Sequence, residues 1–141
     1  MKQEPDLLKG VWVTPWDFFN KLNEEFRLEV DVAASAENTR LPIYFDEISD
    51  GLSQDWGGRR CWMNPPYGRS IGKWVRKAAT SGAAVCVCLL PARTDTRWFH
   101  DHIYGKAEIR FIKGRIKFSG MKGGGKFPSM VVIFRVLPSQ Q

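Results

Sequence analysis

The sequence predicts an α/β fold with a mixed, mainly parallel sheet. Three observations carry this prediction: a strand-like segment at 28–34, a short apolar strand at 61–63, and a fully apolar run at 83–90. A helical apolar repeat, Ile71, Trp74, Val75 and Ala78, separates the last two. A strand, a helix and a buried strand in this order are typical of a βαβ unit in a parallel sheet covered on both faces.

The first predicted element is a helix that begins at Thr14-Pro15-Trp16-Asp17. Thr14 is the expected N-cap, Pro15 the expected first helical residue, and an acid follows three positions after the cap. An apolar stripe then continues the helix at Phe18, Phe19, Leu22 and Phe26.

The end of the chain predicts a change to antiparallel pairing. After a helix at 95–104, strand-like segments follow at 107–112, 115–118 and 130–136. The last two flank a Gly/Lys-rich loop at 120–125, so we expect them to form a C-terminal antiparallel hairpin.

The length of 141 residues is enough for one globular domain, and we expect residues 1–141 to form it, with flexible ends at 1–10 and 138–141. The longest apolar run is too short to cross a bilayer and the start shows no secretory signal, which predicts a soluble intracellular protein that contacts no membrane.

Three cysteines cannot all pair, and their spacing with His100 and His102 fits no usual zinc pattern, so we expect reduced buried thiols and no metal.

Charge divides the chain into two parts. Residues 1–58 carry 5 Lys/Arg against 12 Asp/Glu, a net charge of −7, whereas residues 59–141 carry 16 against 3, a net charge of +13. A basic surface of this kind favours binding to a polyanion such as nucleic acid, although a merely solvated basic surface would give the same count.

The segment Asn64-Pro65-Pro66-Tyr67 is the strongest candidate for chemistry because it follows the strand at 61–63 directly. Asn64 offers a side-chain carbonyl, and Pro65 offers a backbone carbonyl, so together they supply two acceptors for the hydrogens of an amine. Tyr67 offers a flat face on which a base can stack.

Taken together, these segments resemble the phage-type DNA N6-adenine methyltransferase (Dam) family across nearly the whole chain. The resemblance rests on Thr14-Pro15, the segment 31–35 with Asn38, the segment 50–52 with Trp56, the Asn64 motif, the segment 90–100 and the segment 114–118. It implies a compact Rossmann-like methyltransferase fold, the cofactor S-adenosylmethionine, DNA as substrate, and transfer of a methyl group to the adenine N6 amine.

The resemblance also implies roles for individual residues. Cofactor binding falls to Thr14, Pro15, Asp31, Ala33, Ala34 and Asp50, and catalysis to Asn64, Pro65, Pro66 and Tyr67. The residues themselves supply candidate DNA contacts, which are Arg93, Arg97, Arg115, Lys117, Phe118 and Lys122, with Phe118 as a second wall of the base pocket. Arg93 and Arg97 could instead cover a helix face, Phe118 could be an ordinary strand residue, and Lys122 could lie at a solvated hairpin tip. A base in a duplex is not reachable, so such an enzyme must flip the base out of the helical stack or act on single strands.

Two features depart from larger relatives of this family. The segment Asp31-Val32-Ala33-Ala34-Ser35 is not glycine-rich, and only 32 residues separate Asp31 from Asn64, which predicts an abridged sheet. Asp46 and Glu47 are candidates for the carboxylate that binds the cofactor's ribose. Three alternatives remain open: methylation of an RNA amine, methylation of a protein glutamine, and a catalytically silent DNA-binding module.

Overall fold

The computed structural model describes residues 13–118 and 127–136. The expected flexible ends, the loop at 120–125 and Lys122 lie outside the described residues. The described part is an α/β fold with one six-stranded sheet and three α-helices.

The strands are β1 (Val30–Asp31), β2 (Ile43–Tyr44), β3 (Arg60–Met63), β4 (Val85–Pro91), β5 (Glu108–Phe111) and β6 (Ser129–Arg135). The helices are α1 (Trp16–Phe26), α2 (Ile71–Thr80) and α3 (Arg97–His102), and a 3-10 turn covers Gly51–Ser53. The strand order is β2-β1-β3-β4-β6-β5. The first four strands in that order are parallel, whereas β6 runs antiparallel to both of its neighbours, so the predicted mixed sheet is confirmed.

Helices cover both faces of the sheet. The buried residues of α1, Phe19, Leu22 and Phe26, pack with Trp62, Val87 and Ile133 on one face. On the other face α2 and α3 pack over Met63, Cys88 and Val132. Adjacent residues of one strand alternate between the two clusters, as the pleat requires, which explains why β4 is buried along its whole length.

The prediction that Thr14 caps α1 is wrong. The N-cap is Pro15, with no side-chain capping bond, and α1 begins at Trp16. The Thr14 hydroxyl instead accepts a hydrogen bond from the Asn64 side chain. A long-range partner has therefore replaced the local cap that the sequence pattern favours.

The prediction of a strand at 115–118 is also wrong, and so is the prediction that this segment forms a hairpin with the strand at 130–136. β6 pairs with β5, and β5 lies at the edge of the sheet. In the segment 115–118 the alternation is real, because Ile116 and Phe118 are buried and Lys117 is exposed. These two side chains pack into the α1 face of the core, so the segment covers the sheet without joining it.

Candidate functional site

The candidate site lies where the parallel strands β1, β3 and β4 end. Asp31 is the last residue of β1 and pairs with Trp62 of β3, two positions before Asn64. Pro91 ends β4, and Arg93 follows in the next loop. Because parallel strands end at the same edge, the catalytic and cofactor candidates of the sequence meet there, as the open ends of α/β sheets usually provide for ligands.

Asn64 is held in a buried position. Its side-chain nitrogen Nδ2 donates a hydrogen bond of 2.9 Å to Thr14 Oγ1, and the two residues are 8% and 2% exposed. This bond engages one N–H of the amide nitrogen and orients the amide. The carbonyl oxygen Oδ1 is therefore the end that can accept a hydrogen bond from a substrate amine.

The Asp31 carboxylate holds the loop that follows β1. Its Oδ1 accepts from the backbone N–H of Ala33 at 3.4 Å and its Oδ2 from that of Arg40 at 3.0 Å. Burial raises the pKa of Asp31 to about 7 although both N–H bonds act in the opposite direction. Carboxyl groups whose pKa is raised this close to neutrality are unusual, and they are concentrated at functional sites.

Arg40 is a site residue that the sequence analysis missed. Its Nε donates to the Thr14 carbonyl at 2.9 Å, and its guanidinium lies 4.2 Å from the centre of the Trp16 ring. The same residue donates its backbone N–H to Asp31. An arginine in a polar, turn-rich segment gives no periodic signal, so nothing local could have indicated this role.

A cavity of about 570 Å³ opens beside Asn64. The sequence-predicted site residues in its lining are Ala33, Ala34, Asp50, Asn64 and Pro66, and the remaining lining residues include Phe45, Asp46, Glu47 and Ile48. Thr14 and Asp31 line a smaller adjoining cavity together with Ala33, Arg40 and Asn64. The structure therefore brings most of the predicted cofactor residues around two cavities that share Ala33 and Asn64 in their linings.

The two ribose-binding candidates, Asp46 and Glu47, differ in their hydrogen bonds and in their exposure. Asp46 Oδ1 accepts from both the backbone N–H and the hydroxyl of Ser49, each at 2.9 Å, and these bonds lower the pKa of Asp46. Glu47 is exposed beside the same cavity. Asp46 thus shapes its own turn, whereas Glu47 is the more accessible carboxylate.

The turn at Asp50 and Gly51 packs closely against Val32, the residue that follows β1. Asp50 adopts a left-handed backbone with φ of 58°. A Cβ on Gly51 would lie 2.0 Å from the Val32 carbonyl oxygen, so only glycine fits there. The Gly51 carbonyl also accepts from the buried Trp56 indole at 2.9 Å, which fixes the turn against the core.

The Tyr67 ring lies in an aromatic cluster. Its hydroxyl donates to the Leu89 carbonyl at 3.0 Å, and burial raises the pKa of Tyr67. Phe127 meets the ring edge-on at a centroid distance of 5.5 Å, and Phe118 lies 6.1 Å from Phe127. Phe118 is only 1% exposed, so it lies behind Phe127 in the core.

The basic candidates are exposed but occupy different elements. Arg93 lies near enough to Tyr67 for its charge to oppose the rise in the pKa of the tyrosine. Arg97 begins α3, and Arg115 and Lys117 lie on the segment that packs over the α1 face. The charge of Arg93 therefore acts on the Asn64 motif through Tyr67.

The cysteines and histidines do not form a metal centre in the described part of the chain. Cys61, Cys86 and Cys88 are free and buried, as predicted, and the last two sulfur atoms lie 3.7 Å apart. Within residues 13–118 and 127–136, no three His, Cys, Asp or Glu side chains come together as a metal site requires. The same residues include no helix that is long and apolar enough to span a membrane.

Comparison with known proteins identifies the family. The family model described as "DNA N-6-adenine-methyltransferase (Dam)" matches residues 2–140. A DNA N-6-adenine-methyltransferase of Haemophilus phage HP1 is 31% identical over an alignment of 136 residues that covers 89% of this chain and 79% of that protein. A protein of the same name from Escherichia phage T1 is 31% identical over an alignment of 114 residues that covers 77% of this chain but 47% of that larger protein. The chain therefore belongs to the DNA N-6-adenine-methyltransferase (Dam) family.

Proposed function

We propose that this protein transfers the methyl group of S-adenosylmethionine to the N6 amine of adenine in DNA. The observation that carries the proposal is the buried Asn64 amide, oriented by Thr14 at the end of β3 and bordering the cavity of about 570 Å³. Membership of the Dam family and the names of both phage relatives agree with it.

The residues around the cavity fit the proposed cofactor. Its volume is within the range of small-molecule and cofactor sites. The small side chains of Ala33 and Ala34 let a ligand approach the loop after β1, and the carboxylates of Glu47 and Asp50 are placed to accept hydrogen bonds from sugar hydroxyls or an amine. Bound there, S-adenosylmethionine would supply an electrophilic methyl group on a positively charged sulfur.

Asn64 and Pro65 make the adenine amine a better nucleophile in this proposal. The lone pair of an aromatic amine is delocalised into the ring and reacts poorly. Hydrogen bonds from the amine to Asn64 Oδ1 and to the Pro65 carbonyl draw electron density onto the nitrogen, and they strengthen as positive charge develops during transfer. The nitrogen loses its proton after it has gained the methyl group, so the site requires no strongly basic residue.

Tyr67 and the basic residues would hold the DNA. Removing a base from the duplex costs roughly a few kcal/mol, and stacking on an aromatic ring returns about 1–3 kcal/mol. We assign this stacking to Tyr67, with Phe127 against its edge and Phe118 supporting Phe127. Exposed Arg93, Arg97, Arg115 and Lys117, with Lys122, are proposed to contact phosphates.

The test is transfer of a radiolabelled methyl group to unmethylated genomic DNA, followed by digestion to nucleosides. We expect label in N6-methyladenine. RNA and a protein extract, incubated in parallel, test the two other amine substrates. Label in either of those but not in DNA would contradict the proposed substrate, and no cofactor binding with retained, salt-dependent DNA binding would indicate a silent DNA-binding module.

A further inference from the structure

The feature that extends this proposal is the contact between Thr14 and Asn64, which are 50 residues apart in the chain. We propose that Thr14 is a positioning residue for the catalytic amide: its hydroxyl holds Asn64 Nδ2, so that Oδ1 is the end presented to the substrate amine. This inference rests on the proposed function. It assigns the Thr14 side chain to Asn64, whereas the family resemblance places Thr14 with the cofactor.

An asparagine amide needs such a partner because its two ends have nearly the same shape. The terminal torsion of asparagine is broad, and rotation by half a turn exchanges the oxygen and the nitrogen. In the exchanged orientation Asn64 would direct N–H groups at the hydrogens of the amine. Thr14 is 2% exposed and Asn64 8%, so the bond between them lies in a buried position.

The chain ahead of α1 is fixed in a way that suits this role. Arg40 Nε donates to the Thr14 carbonyl at 2.9 Å, and the Arg40 guanidinium covers the Trp16 ring at 4.2 Å. The backbone N–H of Arg40 is in turn bound by the buried Asp31 carboxylate at the end of β1. Thr14 is thus tied to the same edge of the sheet from which Asn64 emerges.

The two roles for Thr14 predict different kinetic effects. A residue that orients the amide acts on the chemical step, so its loss lowers kcat when both substrates are saturating. A residue whose hydroxyl binds the cofactor acts on cofactor affinity instead. The dissociation constant of the cofactor therefore separates the two roles without reference to catalysis.

The experiment compares Thr14→Val, which keeps the shape but removes the hydroxyl, with Thr14→Ser, which keeps the hydroxyl. Thr80→Val is the matched control, since Thr80 is an exposed residue at the end of α2. The measurements are kcat for N6-methyladenine formation, the dissociation constant of S-adenosylmethionine by calorimetry, and the thermal unfolding midpoint.

We expect Thr14→Val to lower kcat about 10- to 100-fold, because Nδ2 loses the buried hydroxyl that orients the amide. Its cofactor dissociation constant should stay within about twofold of the wild-type value, and Thr14→Ser should recover kcat to within about threefold. Thr80→Val should match the wild-type protein in all three measurements. If Thr14→Val does not fold, Thr14→Ala takes its place with the same expected result.

Three results would overturn the inference. Unchanged kcat with a raised cofactor dissociation constant would make Thr14 a cofactor contact. Equal losses of kcat in Thr14→Val and Thr14→Ser would show that the hydroxyl is not what matters. A wild-type protein that transfers no methyl group to adenine would overturn the proposed function, and this inference with it.

Discussion

Asp31 predicts an unusual dependence of stability on pH. The carboxyl group is 2% exposed, and burial raises its pKa from 3.8 to about 7 in the folded protein. The folded state therefore binds a proton more tightly than the unfolded state does, and its stability falls as pH rises from about 4 to about 7. At 1.36 kcal/mol per pKa unit, the full effect on the free energy of unfolding is about 4 kcal/mol.

The perturbation that isolates this effect is Asp31→Asn, which removes the titrating group. Urea unfolding of both proteins at 25 °C, at pH values from 4.5 to 8 and with a reductant for the free cysteines, gives the free energy of unfolding at each pH. Titrations shared by the two proteins cancel in the difference. Asparagine lowers the stability by itself, because it keeps only one acceptor oxygen for the two N–H groups of Ala33 and Arg40. That loss of stability is constant with pH.

We expect the wild-type protein to lose about 3 kcal/mol relative to Asp31→Asn between pH 4.5 and pH 8. The sign matters as much as the size. A difference that stayed constant over this range would show that Asp31 titrates near its ordinary value, and a difference of opposite sign would show that its two N–H bonds outweigh burial. Either result would refute the account of the loop after β1.

Three further substitutions test other parts of the site. Gly51→Ala places a Cβ 2.0 Å from the Val32 carbonyl oxygen, and we expect it to lower the free energy of unfolding by about 1–3 kcal/mol in urea titrations. Tyr67→Phe removes the hydroxyl that donates to Leu89 but keeps the ring; we expect a stability loss of about 1 kcal/mol and methylation within about tenfold of wild type. Arg93→Ala should reduce the slope of log K against log salt for DNA binding by about 1, measured by fluorescence anisotropy.

Each substitution has a matched control at an exposed position. Gly68→Ala meets no atom within 4 Å, and equal unfolding free energies for Gly51→Ala and Gly68→Ala would contradict the close approach. Tyr104→Phe is the control for Tyr67→Phe, because Tyr104 is 65% exposed. An activity of Tyr67→Phe as low as that of Tyr67→Ala would contradict the prediction. Lys21→Ala, on α1, should leave the salt slope unchanged, and an equal slope change in both basic variants would remove Arg93 from the DNA surface.

The order of the central elements could be predicted from the sequence because their signals are local. The apolar repeat of α2 and the uninterrupted apolar run of β4 each specify an element and its buried face. The segment 115–118 shows the limit of this reasoning. Its alternation correctly predicted which side chains are buried, but alternation reports burial on one side and not hydrogen bonding to a neighbouring strand.

The positions of the candidate site residues were predictable where these residues lie at the ends of their own strands. Asn64 and Asp31 follow or end short strands, and the structure brings both to one edge of the sheet. Thr14 and Arg40 were not predictable in the same way. Thr14 satisfied a local capping pattern yet is bonded to a residue 50 positions away, and Arg40 acts through contacts that depend on the folded loop.

The most direct test of the central claim is the effect of Asn64→Ala on methylation and on DNA affinity, measured on the same protein sample. Asn20→Ala, an exposed asparagine of α1, is the control. We expect N6-methyladenine formation to fall at least about 10²–10³-fold in Asn64→Ala with DNA affinity nearly unchanged, because the lost carbonyl acts mainly in the transition state. Methylation that persists in Asn64→Ala, or a parallel loss of DNA affinity, would contradict the assignment of Asn64 as the catalytic residue.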